Sequence, residues 1–177
     1  KNNPGKLNFG STGIGSSMHL AGELFMTQTS AKMVHIPYNA PGTATTNMIA
    51  NDIQLMFQLV PGIASQVKAN KVRALAILSD TRSPALPDVP TTTELGYPKL
   101  QSSTWFAMLA PKGTPKPIID KMNTEINAVL KDPNFQKRLA AIGATTLGGS
   151  TEKLSSHLSA ELEKWGAIIQ AAGIKAQ

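Results

Sequence analysis

Leu7-Asn8-Phe9-Gly10-Ser11-Thr12-Gly13-Ile14-Gly15-Ser16-Ser17 runs straight into an apolar stripe at Leu20, Leu24 and Phe25, and this stretch decides the fold. It reads as a short strand, a glycine-rich turn carrying hydroxyls, and the first turn of a helix. Backbone N–H groups gather at such a point and the helix dipole adds partial positive charge, so the natural guest is a carboxylate, phosphate or sulfate. Gly13 and Gly15 permit a left-handed backbone and close approach of a ligand. Ser11, Thr12, Ser16 and Ser17 each bring a hydroxyl donor. A plain N-capped helix after a tight turn carries the same residue types, so the motif alone leaves both readings open. Two nucleotide-binding alternatives fail on spacing. A dinucleotide turn needs a third glycine where this chain has Met18, and a Walker A loop needs a lysine, none of which occurs between Lys6 and Lys32.

The 177 residues suffice for one domain or two small ones, and the apolar fraction of 41% is adequate for a core. The net charge is +6, from 17 Lys and Arg against 11 Asp and Glu. The positive residues are dispersed, with Lys68, Lys71 and Arg73 the tightest group, and a nucleic-acid face concentrates its charge. No nucleic-acid partner is expected; a mild positive field favours an anionic small ligand instead. Absence of cysteine removes disulfides, thiolate catalysis and Cys-based metal sites. The sequence contains no apolar stretch long enough to embed it in a membrane, and no signal peptide is visible. The opening Lys1-Asn-Asn-Pro-Gly-Lys6 lacks an initiator Met and reads as the interior of a longer protein.

Outward from the first turn, strands and helices alternate. Strands are expected at 7–10, 33–37, 53–57 and 72–78, the last a near-continuous apolar run of the buried parallel type. Helices are expected at 16–29, 43–50 and 61–69. This order implies a parallel sheet with crossover helices. Three prolines within 83–90 make that run irregular, and a helical turn follows at 91–95. A strand is expected at 105–110. Thr114 is the expected N-cap and Pro115 the first residue of a helix with Ile118, Ile119, Met122, Ile126, Val129 and Leu130 on one face. Further helices are expected at 134–142 and 151–171, with a brief strand at 145–147 between them. Residues 1–100 read as a compact α/β domain. Residues 101–177 read as amphipathic helices that need an apolar surface to cover, which a set of strands upstream of Lys1 would supply.

Carboxyl ends of parallel strands open on one edge, where α/β ligands bind. Ligand contacts are therefore expected from Ser11, Thr12, Gly13, Gly15, Ser16 and Ser17, and from Tyr38, Asn39 and Gln58 after the next two strands. Catalysis finds little support. His19 reads as a residue bonding local backbone or packing, His35 as structural or partly buried in a strand, and His157 as solvated on the last helix. No pair of histidines has metal-ligand spacing, no nucleophile elbow occurs, and no paired carboxylates stand near the loops. Neither a catalytic residue, a metal nor a cofactor is expected. Trp105 and Trp165 read as core anchors rather than ligand stackers.

The segments Pro4–Phe25, Val34-His-Ile-Pro-Tyr38, Val72-Arg-Ala-Leu-Ala76, Arg82-Ser-Pro-Ala-Leu-Pro-Asp-Val-Pro-Thr91, Leu109-Ala-Pro-Lys-Gly-Thr-Pro115, Lys164-Trp-Gly166 and Ala172-Gly-Ile174 together resemble the Bug/TctC solute receptors of tripartite tricarboxylate transporters. The resemblance covers essentially the whole chain. It implies a periplasmic-binding-protein-like α/β fold in which two domains close on a small organic carboxylate, located in the periplasm and served by the membrane components of the transporter. It further implies that residues 1–100 form the second, ligand-binding domain and 101–177 the return segment of an incomplete first domain. The family's first-domain loop, Pro-x-x-x-Gly-Gly, has no counterpart here. Two positions depart from the family pattern: Gln58-Leu59 stands where many members have Asp-Asn, and Asn39-Ala40 where many have Lys-Gly. A neutral Gln58 argues against an ammonium-bearing ligand. Two other classes compete: an effector-binding domain of a transcription regulator, for which no helix-turn-helix is visible, and an enzyme acting on an anionic small molecule.

Overall fold

The computed structural model describes residues 4–175, so the first three residues of the opening segment discussed above lie outside it. Elements follow in the order β1 (Leu7–Ser11), α1 (Ser17–Thr29), β2 (Met33–Pro37), α2 (Pro41–Ile49), β3 (Leu55–Met56) and α3 (Val60–Lys68), then α4 (Lys116–Lys131), α5 (Pro133–Ala141) and α6 (Thr151–Ala171). The strands form one parallel sheet in the order β2-β1-β3. Leu7 to Ser11 lie opposite Met33 to Pro37, and Phe9 and Gly10 lie opposite Leu55 and Met56. This is the α/β class with parallel strands and crossover helices that the alternation implies.

The chain divides into two compact units, Lys1–Thr104 with Trp165–Gln177, and Trp105–Lys164. The last turns of α6 thus belong to the first unit.

In the first unit, β1 is the central strand, and its inner residues Phe9, Gly10 and Ser11 are buried. The Phe9 ring packs edge-on to Phe57, with centroids 5.8 Å apart, and tilted against His35 at 5.0 Å. Its other side fills the space over Gly22 of α1, where a Cβ would fall inside the ring's van der Waals shell. Leu24, Leu100 and Ile168 form a second cluster, covered by Phe25, Leu78 and Trp165. Helix starts follow local chemistry. Ser16 caps α1 by accepting the His19 N–H at 3.3 Å, and Asp132 caps α5 by accepting the Phe135 N–H at 2.8 Å. Proline stands in the first turn of α2, α3, α4 and α5, where its missing N–H costs no intrahelical bond. The proline-rich run is irregular but fastened: Arg82 is bound to Glu94 and donates to the Pro87 carbonyl, while Glu94 accepts the Thr91 N–H.

Several expected elements differ. Residues 72–78 are not a strand; a single bridge joins Ile77 to Thr91, and Leu75 is 58% exposed. An apolar run becomes a strand only when another backbone lies alongside it; here the backbone contacts fall at its end alone, where Ile77 bonds Pro90 and Thr92 and the Leu78 carbonyl accepts the Ser102 N–H. The strand expected at 53–57 contracts to Leu55–Met56, and 145–147 pairs with nothing described. Residues 105–110 likewise form no strand and pair with no described strand, and Phe106 is 94% exposed. Thr114 is not the cap of α4: its hydroxyl donates back to the Pro111 carbonyl, Pro115 takes the cap position and Pro117 lies in the first turn. Pro115 is extended, with ψ of 137°, and its carbonyl accepts the Ile119 N–H, so the helix begins one residue later than expected and the cap falls on a residue with no side-chain acceptor.

Replacing Gly22 by Ala should drive a methyl into Phe9 and cost about 1–3 kcal/mol. Gly42→Ala, in open surroundings on α2, should instead gain about 0.4–1 kcal/mol. Urea midpoints of the two variants should move in opposite directions; parallel shifts would contradict the packing described for Phe9.

Candidate functional site

Because β1 is flanked by β2 and β3 and all three run parallel, their carboxyl ends share one edge. Residues 12–17, 38–39 and 57–58 leave the sheet there. The sequence-derived residues are thereby brought to one side of the first unit, each with a different local role.

Ser11 is wholly buried at the end of β1. Its hydroxyl donates to the Gly13 carbonyl at 3.0 Å and accepts the Gly13 N–H at 3.1 Å. The remaining lone pair meets His35 Nε2 at 2.6 Å, so His35 carries a proton on that nitrogen. Ser11 therefore holds the turn from behind. Gly13 and Gly15 have φ of 117° and 78°, the left-handed region that favours glycine. The Gly15 N–H donates to His19 Nδ1 at 3.0 Å. With Nδ1 accepting, neutral His19 carries its proton on Nε2, which faces Glu23 Oε1 at 3.3 Å. The two imidazoles stack with centroids 3.8 Å apart and planes 15° from parallel.

Thr12 is half-buried, and its hydroxyl points to Met18 Sδ at 3.7 Å. Ser16 serves as the cap of α1, and Ser17 is exposed at its first position. Among the described residues, no backbone acceptor meets the Thr12 and Ile14 N–H groups, and Ser17 and Met18 stand at helix positions whose N–H groups have no intrahelical partner. Tyr38 is half-buried with its hydroxyl accepting from Asn47 Nδ2 at 3.1 Å, and Asn39 is exposed beside it. Gln58 folds back, its Oε1 accepting the Leu59 N–H at 2.9 Å at the start of α3. The site is thus a set of amide and hydroxyl donors over a stacked histidine pair, His19 buried and His35 half-buried, a chemistry suited to an anion.

The family model described as "Tripartite tricarboxylate transporter family receptor" matches residues 1–174. The chain belongs to this family. Protein BugT of Bordetella pertussis is 35% identical over 175 residues, spanning 99% of this chain and 54% of BugT. The solved structure of R. palustris Rpa4515 with adipate superposes with a TM-score of 0.84 at 31% identity, over 98% of this chain and 58% of that one. MatC from Rhodopseudomonas palustris with bound malate gives 0.75 at 26% identity, over 93% of this chain and 57% of that one. The chain therefore spans about half the length of most of the curated relatives it matches.

Among the described residues, no group of three or more His, Cys, Asp or Glu gathers to hold a metal ion. His157 is half-buried rather than solvated: its ring meets Trp105 edge-on at 5.0 Å, and Nε2 lies buried without a partner. Trp105 donates its indole N–H to Glu161 at 3.1 Å, and Trp165 packs on the Leu24 cluster. His19 bonds local backbone and His35 is half-buried in its strand, as the sequence reading has them; that both brace the turn between β1 and α1 was not part of that reading. The available signal was i, i+4 spacing from Gly15 to His19; nothing local announced that His35 would lie beside Ser11.

Burial, and then the charge of His19, push His35 down from 6.5 to about 4. The unfolded chain takes up this proton near 6.5, the folded chain only near 4, so stability is full above about pH 6.5 and declines as pH falls towards 4. Thermal melts of His35→Gln should lack this part of the decline; an unchanged difference between its melting temperatures at the two ends of that window would contradict the assignment.

Proposed function

We propose that this chain is part of an extracytoplasmic solute-binding receptor that captures a small organic carboxylate. Residues 1–100 supply the second, ligand-gripping domain and residues 101–177 the return segment of the first. One carboxylate of the ligand is received by the turn between β1 and α1, through the N–H groups of Thr12, Ile14, Ser17 and Met18 and the hydroxyls of Thr12 and Ser17. Gly13, Gly15 and Ser16 shape the cradle, Ser11 supports it from behind, and Tyr38, Asn39 and Gln58 flank it. Domain closure over the ligand would exclude water from these charge-assisted hydrogen bonds. The loaded receptor then docks on the membrane components of a tripartite tricarboxylate transporter, in the periplasm.

The single observation that carries the reading is the β1–α1 turn, with donors that the protein's own backbone leaves without acceptors at a helix N-terminus. Family membership supports the receptor role, and the adipate and malate held by two relatives support a carboxylate. The net charge of +6 favours capture of an anion. No described helix is long and apolar enough to cross a membrane, in keeping with a protein that meets its transporter from outside the bilayer. Binding and release involve no bond cleavage, so no acid–base pair is required. For residues 105–164 the second unit supports this assignment: Phe106, Met108, Leu109, Ile118, Met122 and Val129 are all exposed, a larger apolar surface than a finished unit leaves open. Strands of the first domain would cover it.

The test is the melting temperature of the full gene product against mono-, di- and tricarboxylic and aromatic acids. A ligand that binds only the folded state raises stability with the logarithm of its concentration. At least one acid class should give a dose-dependent rise and be recovered unchanged, and no rise across the panel would contradict the reading. Gly13→Val should weaken that acid about tenfold or more, because a β-branched residue resists a φ of 117°; wild-type affinity with intact circular dichroism would deny Gly13 its role in the cradle.

A further inference from the structure

We propose that His19 and His35 act as a stacked positioning pair that sets the β1–α1 turn for its anion, and that the turn is held only while His19 is neutral. The inference deepens the proposed function and rests on its reading of that turn as a carboxylate cradle. Its basis is geometric. Each histidine holds one glycine of the turn: His19 directly, by accepting the Gly15 N–H, and His35 through the Ser11 hydroxyl that brackets Gly13 on both its N–H and its carbonyl. Both glycines adopt left-handed backbone, a conformation without helix or sheet bonds to maintain it. The stack of the imidazoles, on one another and on Phe9, fixes the distance between these two supports.

Protonation affects the two rings differently. A proton added to His19 must go on Nδ1, the atom that accepts from Gly15. An acceptor then becomes a donor facing a donor, and the bond is lost. A proton added to His35 goes on Nδ1 and leaves the Nε2–H to Ser11 in place, but it sets a charge against the ring stacked on it. Glu23 faces His19 from the next turn of α1 and favours the charged ring. Lys175, which follows α6, lines the same cavity of about 440 Å³ as His19, Glu23 and His35 and opposes a charge there. Ser11, from β1, and Phe9 bring no charge. Burial lowers the affinity of His19 for protons against the pull of Glu23, and His35 is lowered as well, so both rings are neutral at neutral pH. A buried ring of 5% exposure that bonds backbone rather than solvent is suited to positioning, not to contact with the ligand.

The test uses the full gene product with two variants and two readouts. His19→Ala removes the acceptor; His19→Asn offers an amide oxygen near the position of Nδ1 and cannot titrate. The first readout, without ligand, is the ¹H–¹⁵N shift of Gly15 from about pH 7.5 to 4.5, with Gly113 as a remote reference. In the wild type the Gly15 amide should follow the titration of the His19 ring; in His19→Asn it should stay flat. The second is affinity for malate and adipate by calorimetry, each variant compared with wild type at the same pH so that ligand protonation cancels. His19→Ala should lose about tenfold, and His19→Asn should recover most of that loss and show a shallower decline towards low pH. A Gly15 amide silent to His19, a His19→Asn variant that keeps the wild-type pH profile, or wild-type affinity that rises relative to His19→Asn as pH falls would each overturn the proposal. If Gly15 follows His19 while neither acid binds, the positioning pair stands and the choice of ligand falls; if both acids bind while Gly15 is silent, the pair alone falls.

Discussion

The hydroxyl of Ser11 is the point on which the site depends. It sits at the last residue of the central strand, fully removed from water, and all three of its hydrogen-bonding capacities are used: one donated to the Gly13 carbonyl, one accepted from the Gly13 N–H, one shared with His35 on the neighbouring strand. A buried hydroxyl left short of partners costs about 1–3 kcal/mol, so sheet register and turn conformation are coupled through this one atom. Slip β2 by a residue and His35 points to the other face. The turn, the start of α1 and the outward amides then lose their common frame.

The two compact units differ in how far they satisfy the hydrophobic requirement. The first buries Phe9, Leu24, Ile53 and Leu100 around a parallel sheet. In the second, no side chain among the described residues reaches full burial, although α4 and α6 carry regular apolar stripes. Polar fastening stands in for a core there, as where Asn127 accepts the Gly149 N–H and both Asn123 and Asn127 donate to the Gly149 carbonyl. An apolar surface of this extent is the one that the first-domain strands proposed above would cover.

What was legible in the sequence was what is local. The strand at Met33–Pro37 and the helix at Thr151–Ala171 fall where periodicity and capping residues put them, and the glycine–hydroxyl turn is where its composition places it. What failed was what depends on a second backbone. Residues 72–78 have the composition of a buried strand, but pairing is a property of two segments, and among the described residues only Ile77 and Leu78, at the end of the run, bond another backbone. The same holds at the site. Counting donors in residues 11–17 pointed to this turn as the candidate site; it did not reveal that Ser11 faces inward, because that direction is set by His35, 24 residues away in sequence. The i, i+4 contact from Gly15 to His19 was within reach of helical spacing, but a histidine one turn into a helix also fits a simple packing role.

The central claim, that the turn between β1 and α1 receives a carboxylate, is tested most directly by following the backbone amides of residues 12–18 in ¹H–¹⁵N spectra of the full gene product while a dicarboxylate is titrated to saturation. The account predicts saturable shifts, on one common binding curve, at Thr12, Ile14, Ser17 and Met18, the positions whose N–H groups lack an acceptor within the backbone. Saturation of the protein with those four amides unmoved would contradict it.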